Sequence, residues 1–237
     1  MAPKIRTVLF DFMGTCLDWH TSIVNAFPSK MQAHEKSAFA CELRQAYFDY
    51  NDQRREKGQP VEDFDTTQRK VLTVLLDDRP GDKKLFSDQD KDRLVQAWHA
   101  QQAWPDVAAA AIQALKAQGR EVIVHANGST RLQLDLAKSA GLHFDLMLSS
   151  ELLGVYKPAT ESYTKVLRIL QLEPEEVVMV ACHAYDLRGA RTAGIRTVYV
   201  CRWTDDIRED QDVVRGENDA YLADMSELGD VVAGFED

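Results

Sequence analysis

Four segments of the sequence end in polar residues whose types suit chemistry on a small molecule. Asp11 is the penultimate residue of the largely apolar run TVLFDF, Asn127 follows EVIVHA, and Asp186 comes shortly after VVMVA. Lys157 stands in the segment VYKP, between the last two of these. A carboxylate can act as a nucleophile or a general base, and an ammonium group beside it holds it ionised. Each residue alone also fits a helix cap or a surface turn, so the prediction of a reactive site rests on their joint pattern.

An alternation of apolar strands and amphipathic helices must position these residues. We predict strands at residues 7–12, 121–126, 146–149, 177–181 and 197–201. The helices predicted between them cover residues 107–118, 130–140, 160–170 and 186–193. Strands of this kind pair in a parallel sheet that is covered on both faces, and their carboxyl ends meet at one edge, where α/β proteins place ligands. The fold class is therefore α/β, with a doubly wound, Rossmann-like parallel sheet.

The stretch from residue 18 to residue 102 has a different character. It contains helical patterns and no convincing strand, with helices predicted at residues 22–34, 37–57, 66–78 and 87–103. We therefore expect an α/β core formed by residues 1–17 and 103–237, with residues 18–102 as a helical cap inserted after the first strand. The acidic and polar stretch 204–219 is predicted to be a solvated surface loop.

The composition excludes several classes of function. The chain has 237 residues, of which 45% are hydrophobic and 28% charged, and its formal net charge is −10. This charge argues against nucleic acid and anionic membranes as partners, because both need basic patches. The apolar runs are far shorter than the ~20 residues that span a bilayer, and we expect no secretory signal. The four cysteines show no zinc or disulfide spacing, so we expect reduced thiols and a cytoplasmic protein.

The segment Asp11-Phe12-Met13-Gly14-Thr15 resembles the first motif of the haloacid dehalogenase superfamily, in which the first aspartate is the nucleophile. Most phosphatases of this superfamily carry a second aspartate two positions later as a general acid. Met13 stands at that position, so a phosphate ester's leaving oxygen has no obvious proton donor. Halide leaves without a proton, and the resemblance is therefore to the type II (L-)2-haloacid dehalogenase branch.

Further motifs extend this resemblance over nearly the whole chain. Asn127-Gly128-Ser129, VYKP with Tyr163, and Ala184-Tyr185-Asp186 resemble the later motifs of the core. Leu43-Arg44-Gln45 and Asp63-Phe64 resemble cap segments of the dehalogenases, which the wider superfamily does not share.

The resemblance implies hydrolysis of short 2-haloalkanoic acids to 2-hydroxy acids and halide. Asp11 is the implied nucleophile and forms an ester, Lys157 keeps it ionised, and Thr15 fixes its rotamer. Asp186, with Lys157, is the implied general base for the water that attacks the ester. Arg44 is the implied partner of the halide or of the substrate carboxylate. The residues implied to surround the substrate are Phe12, Met13, Gln45, Phe64, Asn127, Tyr163, His183 and Tyr185. No metal or cofactor is implied, and a homodimer is compatible with the resemblance.

Two positions depart from the dehalogenase pattern. Ala126 replaces a usual serine or threonine, and His183 replaces a usual asparagine. The histidine adds a group that titrates near neutral pH, and the sequence leaves open whether it orders Asp186 or takes part in catalysis. These departures keep two alternatives open. One is a related hydrolase acting on another small substrate, including a phosphatase, and the other is a related protein that has lost catalysis.

Overall fold

The computed structural model describes residues 4–236, except for the side chains of residues 108–110. The chain divides into two compact units, a larger one of Met1–Asp18 with Ala103–Asp237 and a smaller one of Trp19–Gln102. Within residues 4–236, none of the helices combines the length and the apolar character that a membrane span requires.

The larger unit is built on a six-stranded parallel sheet. The strands of the described chain are β1 (Thr7–Phe10), β2 (Leu17–Asp18), β3 (Gln102–Ala103), β4 (Glu121–Ala126), β5 (Leu146–Ser149), β6 (Val177–Ala181), β7 (Arg196–Val200) and β8 (Ala220–Leu222). The order in the sheet is β5-β4-β1-β6-β7-β8, and every neighbouring pair is parallel. β1 thus lies at the centre, and the predicted α/β fold class is confirmed.

Helices make up most of the remaining structure. The smaller unit contains α1 (Trp19–Ala26), α2 (Ala33–Glu56), α3 (Phe64–Asp77), α4 (Pro80–Lys83) and α5 (Asp88–Ala97). In the larger unit, a π-helical segment, Val107–Gln113, leads into α6 (Ala114–Ala117). It is followed by α7 (Thr130–Ala140), α8 (Ser150–Leu153), α9 (Thr160–Leu170), α10 (Ala184–Thr192), α11 (Gln211–Glu217) and α12 (Leu228–Gly234).

The central strands form because nearly all their residues are apolar, on both faces. All four residues of β1 and all five of β6 are buried, as expected of a parallel sheet with helices on both sides. The ends of β4, β5 and β6 match the sequence prediction, whereas β1 stops at Phe10 and β7 begins at Arg196. The register pairs Phe10, the last residue of β1, with Val124 and with Val180, so β4 extends two residues and β6 one residue beyond the end of β1.

Three sequence predictions of local structure are wrong. The helix predicted at residues 22–34 ends at Ala26, and α2 starts at Ala33, because Pro28 cannot continue a helix and disfavours helical geometry in the residue before it. The helix predicted at residues 87–103 ends at Ala97, and Gln102–Ala103 forms the short strand β3. The stretch 204–219 is not a solvated loop, since it contains α11 and the buried Asp205.

Gly189, on α10, makes room for a side chain of the neighbouring helix. A Cβ atom at this position would lie 2.7 Å from the Tyr163 hydroxyl and 2.8 Å from the Pro158 carbonyl oxygen. The absence of a side chain at Gly189 therefore lets Tyr163 of α9 pass beside α10.

We expect Gly189→Ala to destabilise the protein by about 1–3 kcal/mol, because the added methyl group overpacks a buried contact that includes backbone. Urea unfolding monitored by circular dichroism measures the effect. Gly216→Ala is the matched control, because a Cβ at Gly216 of α11 meets nothing within 4 Å. It should leave stability unchanged or raise it by up to about 1 kcal/mol. Equal unfolding midpoints for the two variants would contradict the close approach at Gly189.

Candidate active site

Asp11 follows the central strand and is held there by the backbone. Its amide donates to the Val180 carbonyl at 3.0 Å, and its side chain is only 8% exposed. The chain then turns at Gly14, whose φ of +87° is strained for residues with a side chain. This turn lets the Thr15 hydroxyl donate to Oδ2 of Asp11 at 2.8 Å, while it accepts from the Cys182 amide at 2.9 Å. Thr15 thus fixes the orientation of the carboxylate.

Lys157 brings the ends of three strands together. Its buried ammonium group donates to Oδ1 of Asp11 at 2.9 Å, to the His125 carbonyl at 2.8 Å, and to Oδ2 of Asp186. These three acceptors use all three protons of the ammonium group. Asn127 holds the backbone of the same lysine, because its amide nitrogen donates to the Lys157 carbonyl and its amide oxygen accepts from the Lys157 N–H. A direct contact of Asn127 with a substrate stays a prediction.

Asp186 lies behind this lysine and is completely buried. Its Oδ1 accepts a hydrogen bond of 2.6 Å from the Tyr163 hydroxyl, and its Oδ2 accepts the one from Lys157. Tyr163 is itself fully buried. The structure therefore shows Tyr163 as a residue that orients Asp186, whereas the sequence predicted it beside the substrate.

Burial and charge shift the pKa values of these groups in opposite directions. Burial alone would raise the pKa of Asp11, but the positive charge of Lys157 and the hydrogen bond from His183 hold it well below its usual range. Burial raises the pKa of Asp186, against the opposing effect of Lys157. Burial alone would lower the pKa of Lys157, but the two carboxylates raise it. Asp11 is therefore an ionised carboxylate, as a nucleophile requires.

His183 links Asp11 to a residue that the sequence analysis missed. Its Nδ1 lies 3.0 Å from Oδ2 of Asp11, and its Nε2 lies 3.1 Å from Oδ1 of Asp205. Asp205 is buried, and a Cβ at Gly14 would lie 2.8 Å from its Oδ2, so the glycine makes room for it. One signal could have indicated Asp205: like Asp11 and Asp186, it is an acidic residue shortly after a strand of the sheet.

The other predicted site residues of the larger unit differ in how deeply they are buried. The Phe12 ring is buried and packs edge-on against Phe144, with centroids 5.4 Å apart. Met13 is half-buried, and the half-buried Tyr185 lies 5.6 Å from the His183 ring. The structure thus gathers Asp11, Thr15, Lys157, Asp186, His183 and Tyr185 into one cluster.

Three predicted residues belong to the smaller unit. Arg44 of α2 is buried, and its guanidinium carbon lies 4.6 Å from the Phe48 ring centroid and 5.5 Å from that of Trp19. Gln45 donates to Asp49 at 2.8 Å. Phe64 begins α3 and packs edge-on against Trp98. Arg44 is therefore a cation in an aromatic and weakly hydrated environment, where its attraction for an anion is strengthened.

Comparison with known proteins agrees with this geometry. Residues 5–194 match the family model of haloacid dehalogenase-like hydrolases. The chain belongs to this family. It is 31% identical over 212 residues to (S)-2-haloacid dehalogenase 4A of Burkholderia cepacia, and the aligned region covers 85% of each chain. A crystal structure of an L-2-haloacid dehalogenase is 30% identical, superposes with a TM-score of 0.82, and covers 97% of this chain and 99% of that one. Pyrophosphatase PpaX of Bacillus mycoides (strain KBAB4) is 26% identical over 206 residues, or 85% of each chain.

Within residues 4–236, three side chains have donor atoms close enough together to hold a metal ion. They are Asp11, Cys182 and His183, whose donor atoms lie within 4.8 Å of one another. They do not fit a metal well, because both ring nitrogens of His183 already face carboxylates. Burial also raises the pKa of the Cys182 thiol to about 11, so its metal-binding thiolate form is disfavoured. We do not identify these residues as metal ligands.

We expect Lys157→Met to lower the free energy of unfolding by about 3–5 kcal/mol near neutral pH, because it leaves two buried carboxylates without their ammonium partner. Without the ammonium group, burial raises the pKa of the two carboxylates in the folded variant above that in its unfolded chain. Acidification then protonates them and removes the cost of burying unpaired charges. The deficit of the variant should therefore shrink between about pH 7.5 and pH 5. Urea unfolding at both pH values measures it.

Lys116→Met is the matched control, because its 2.8 Å ion pair with Asp145 is partly exposed. Its effect should stay within about 1 kcal/mol at either pH. If Lys157→Met lowered the free energy of unfolding no more than Lys116→Met does, the buried ammonium group would not hold the site together.

Proposed function

We propose that the protein is a hydrolytic dehalogenase of short 2-haloalkanoic acids, which it converts to 2-hydroxy acids and halide. The hydrogen bonds of Asp11 carry this proposal. Oδ2 accepts from Thr15 and faces Nδ1 of His183, whereas among the described residues Lys157 is the one donor to Oδ1. A carboxylate oxygen has two lone pairs. Oδ1 therefore keeps one lone pair for attack on a substrate carbon.

The first step is a displacement at the carbon that carries the halogen. The free lone pair of Oδ1 forms a bond to C2 of the substrate, and the carbon–halogen bond breaks with its electron pair on the departing halide. No proton is transferred in this step. Met13 suits it, because a methionine cannot donate the proton that a phosphate ester's leaving group needs. The resulting ester joins Cγ of Asp11 to the substrate through Oδ1.

The second step releases the product by attack of water on Cγ of the ester. The bond between Cγ and Oδ1 breaks, and Oδ1 leaves as the hydroxyl oxygen of the 2-hydroxy acid. Lys157 is placed to give this oxygen its proton, because its Nζ lies 2.9 Å from Oδ1. The neutral amine then takes up one of the two protons of the attacking water. The other proton leaves to solvent, so that Asp11 is restored as a carboxylate.

Asp186 supports this proton transfer from behind Lys157. The family resemblance implies that Asp186 is the general base, but its side chain is fully buried and both its oxygens already accept hydrogen bonds. We therefore assign it an indirect role, in which its charge favours the return of a proton to Lys157 after each turnover. Tyr163 keeps it oriented.

Substrate recognition rests on residues whose roles are still predictions. Arg44 keeps the role of binding the halide or the substrate carboxylate, since its aromatic surroundings strengthen its attraction for anions. Phe12, Met13, Gln45, Phe64 and Tyr185 remain candidates for the substrate's surroundings. We further propose that the reaction needs no metal ion, because the ammonium of Lys157 already neutralises Asp11. The four free cysteines support a cytoplasmic location.

A phosphatase is the second candidate, because a pyrophosphatase is among the relatives. It would need a general acid near Asp11, and position 13 supplies none. Magnesium-dependent turnover of an aryl phosphate that is lost in Asp11→Asn would favour this candidate over dehalogenation.

Turnover in ¹⁸O-labelled water tests the proposal. A single turnover of 2-chloro- or 2-bromopropionate should release one halide per site and place ¹⁸O in Asp11, because water attacks Cγ of the ester and not the substrate carbon. The product should carry ¹⁶O from Asp11. Mass spectrometry of the peptide that contains Asp11, together with a halide assay, provides the measurement.

Asp11→Asn should release no halide, whereas Asp230→Asn, a matched change at an exposed position, should act like the wild type. If no short 2-haloacid yields halide between about pH 7 and 10, the proposed substrate class is wrong. Halide release with ¹⁸O in the product alone would instead mean that water attacks the substrate carbon directly.

A further inference from the structure

The second oxygen of Asp11 lies between two hydrogen-bond donors. Oδ2 accepts from the Thr15 hydroxyl at 2.8 Å and lies 3.0 Å from Nδ1 of His183. If Oδ1 is the attacking oxygen, Oδ2 becomes the carbonyl oxygen of the ester. Negative charge develops on such an oxygen when water adds to the carbonyl carbon. The two donors therefore already surround the atom that must carry this charge.

The partners of His183 define its protonation state. Nδ1 faces Oδ2 of Asp11, and Nε2 faces Oδ1 of Asp205 at 3.1 Å. An ionised carboxylate can only accept hydrogen bonds, so each ring nitrogen must carry a proton to bond its partner. His183 is then an imidazolium cation, and its hydrogen bond to Asp11 is assisted by charge.

Asp205 is built into the site rather than placed there by chance. Its side chain is 1% exposed, and its Oδ2 accepts a 2.7 Å hydrogen bond from the Thr204 hydroxyl. The missing side chain of Gly14 leaves the space that the carboxylate occupies. A buried carboxylate is costly unless it is paired, and His183 provides a cationic partner.

We propose that His183, oriented and kept protonated by Asp205, is a catalytic residue that stabilises the oxyanion formed on Oδ2 of Asp11 during ester hydrolysis. This inference rests on the proposed dehalogenase function and assigns His183 to the second step. As the water oxygen bonds to Cγ, the electron pair of the C=O double bond moves onto Oδ2. When that pair returns, the bond from Cγ to Oδ1 breaks. His183 neither gains nor loses a proton in this sequence.

The groups around His183 determine how the step depends on pH. It faces Asp11 beyond β1, Cys182 beyond β6, Tyr185 on α10, and Asp205 and Asp206 beyond β7. Burial alone would lower the pKa of His183, but the Cys182 sulfur and the hydrogen bonds to Asp11 and Asp205 raise it well above its usual value. Ester formation removes the charge of Asp11, so this pKa falls in the intermediate while the other acidic partners remain.

Rapid-quench kinetics separates the two steps. The initial burst of halide reports ester formation, and the later steady rate reports hydrolysis where hydrolysis is slower. His183→Ala should slow hydrolysis by about 10²–10³-fold, the usual effect of losing one oxyanion donor. It should change ester formation much less, so that the ester accumulates and is seen in the intact mass. His183→Asn should recover part of the rate, because its amide is a neutral donor. His143→Asn is the matched control at an exposed histidine.

The pH profile of hydrolysis distinguishes a donor from a base. If the imidazolium form is required, the hydrolysis rate falls as the pH rises through the pKa of His183 in the ester, and His183→Asn loses this decline. Asp205→Asn should move the decline to lower pH, because the carboxylate that raises the pKa of His183 is gone. A purely structural role for Asp205 would leave the position of the decline unchanged. A rate that instead rises with loss of the His183 proton would make His183 a general base and overturn the inference.

A spectroscopic measurement tests the charge without activity. In ¹⁵N-histidine-labelled wild type, NMR should show both ring nitrogens of His183 protonated in the resting enzyme, with the signal assigned by its loss in His183→Asn. A neutral ring with one unprotonated nitrogen would overturn the inference. Halide release by the wild type, with unchanged hydrolysis in His183→Ala, would overturn it and leave the dehalogenase function intact. If the wild type released no halide, both the proposed dehalogenase function and the proposed role of His183 would be wrong.

Discussion

The site depends on the buried ammonium group of Lys157 and the two carboxylates on either side of it. Removing three charges from water is expensive, and only close pairing and complete hydrogen bonding offset the cost. Lys157 meets this condition through Asp11, Asp186 and the His125 carbonyl. Each acceptor comes from the end of a different strand or from the helix that follows one. The charge cluster therefore requires these strands to end at the same edge of the sheet.

A parallel sheet provides this alignment more directly than local sequence could. Asp11 and Lys157 are 146 positions apart, yet the pairing of β1 with β4 and of β4 with β5 places their segments at the same edge. Small residues then allow the second layer of contacts. Gly189 makes room for Tyr163, which orients Asp186, and Gly14 makes room for Asp205. These two glycines thus allow the buried contacts that orient the reactive residues.

The sequence predicted the parts of this arrangement that follow from local pattern. The strands β4, β5 and β6 are continuous apolar runs between clear breaks, and the acids, the amide and the lysine at strand ends are visible without a structure. Asp205 was missed because three of the four residues 204–207 are polar, and average polarity cannot show which acid turns inward. That choice depends on the space beside Gly14 and on a cation from another strand, both of which are tertiary features.

Both oxygens of Asp11 now have a cation, and each cation has its own carboxylate behind it. Lys157 is backed by Asp186, and His183 is backed by Asp205. Three carboxylates and two cations leave this buried cluster with one excess negative charge. Conversion of Asp11 to an ester removes that excess and leaves each cation paired with one carboxylate. The same loss of charge frees both cations for the second step, Lys157 to protonate the departing oxygen and His183 to hold the oxyanion. A neutral asparagine at position 183 could donate the hydrogen bond, but it could not contribute to this balance of charge.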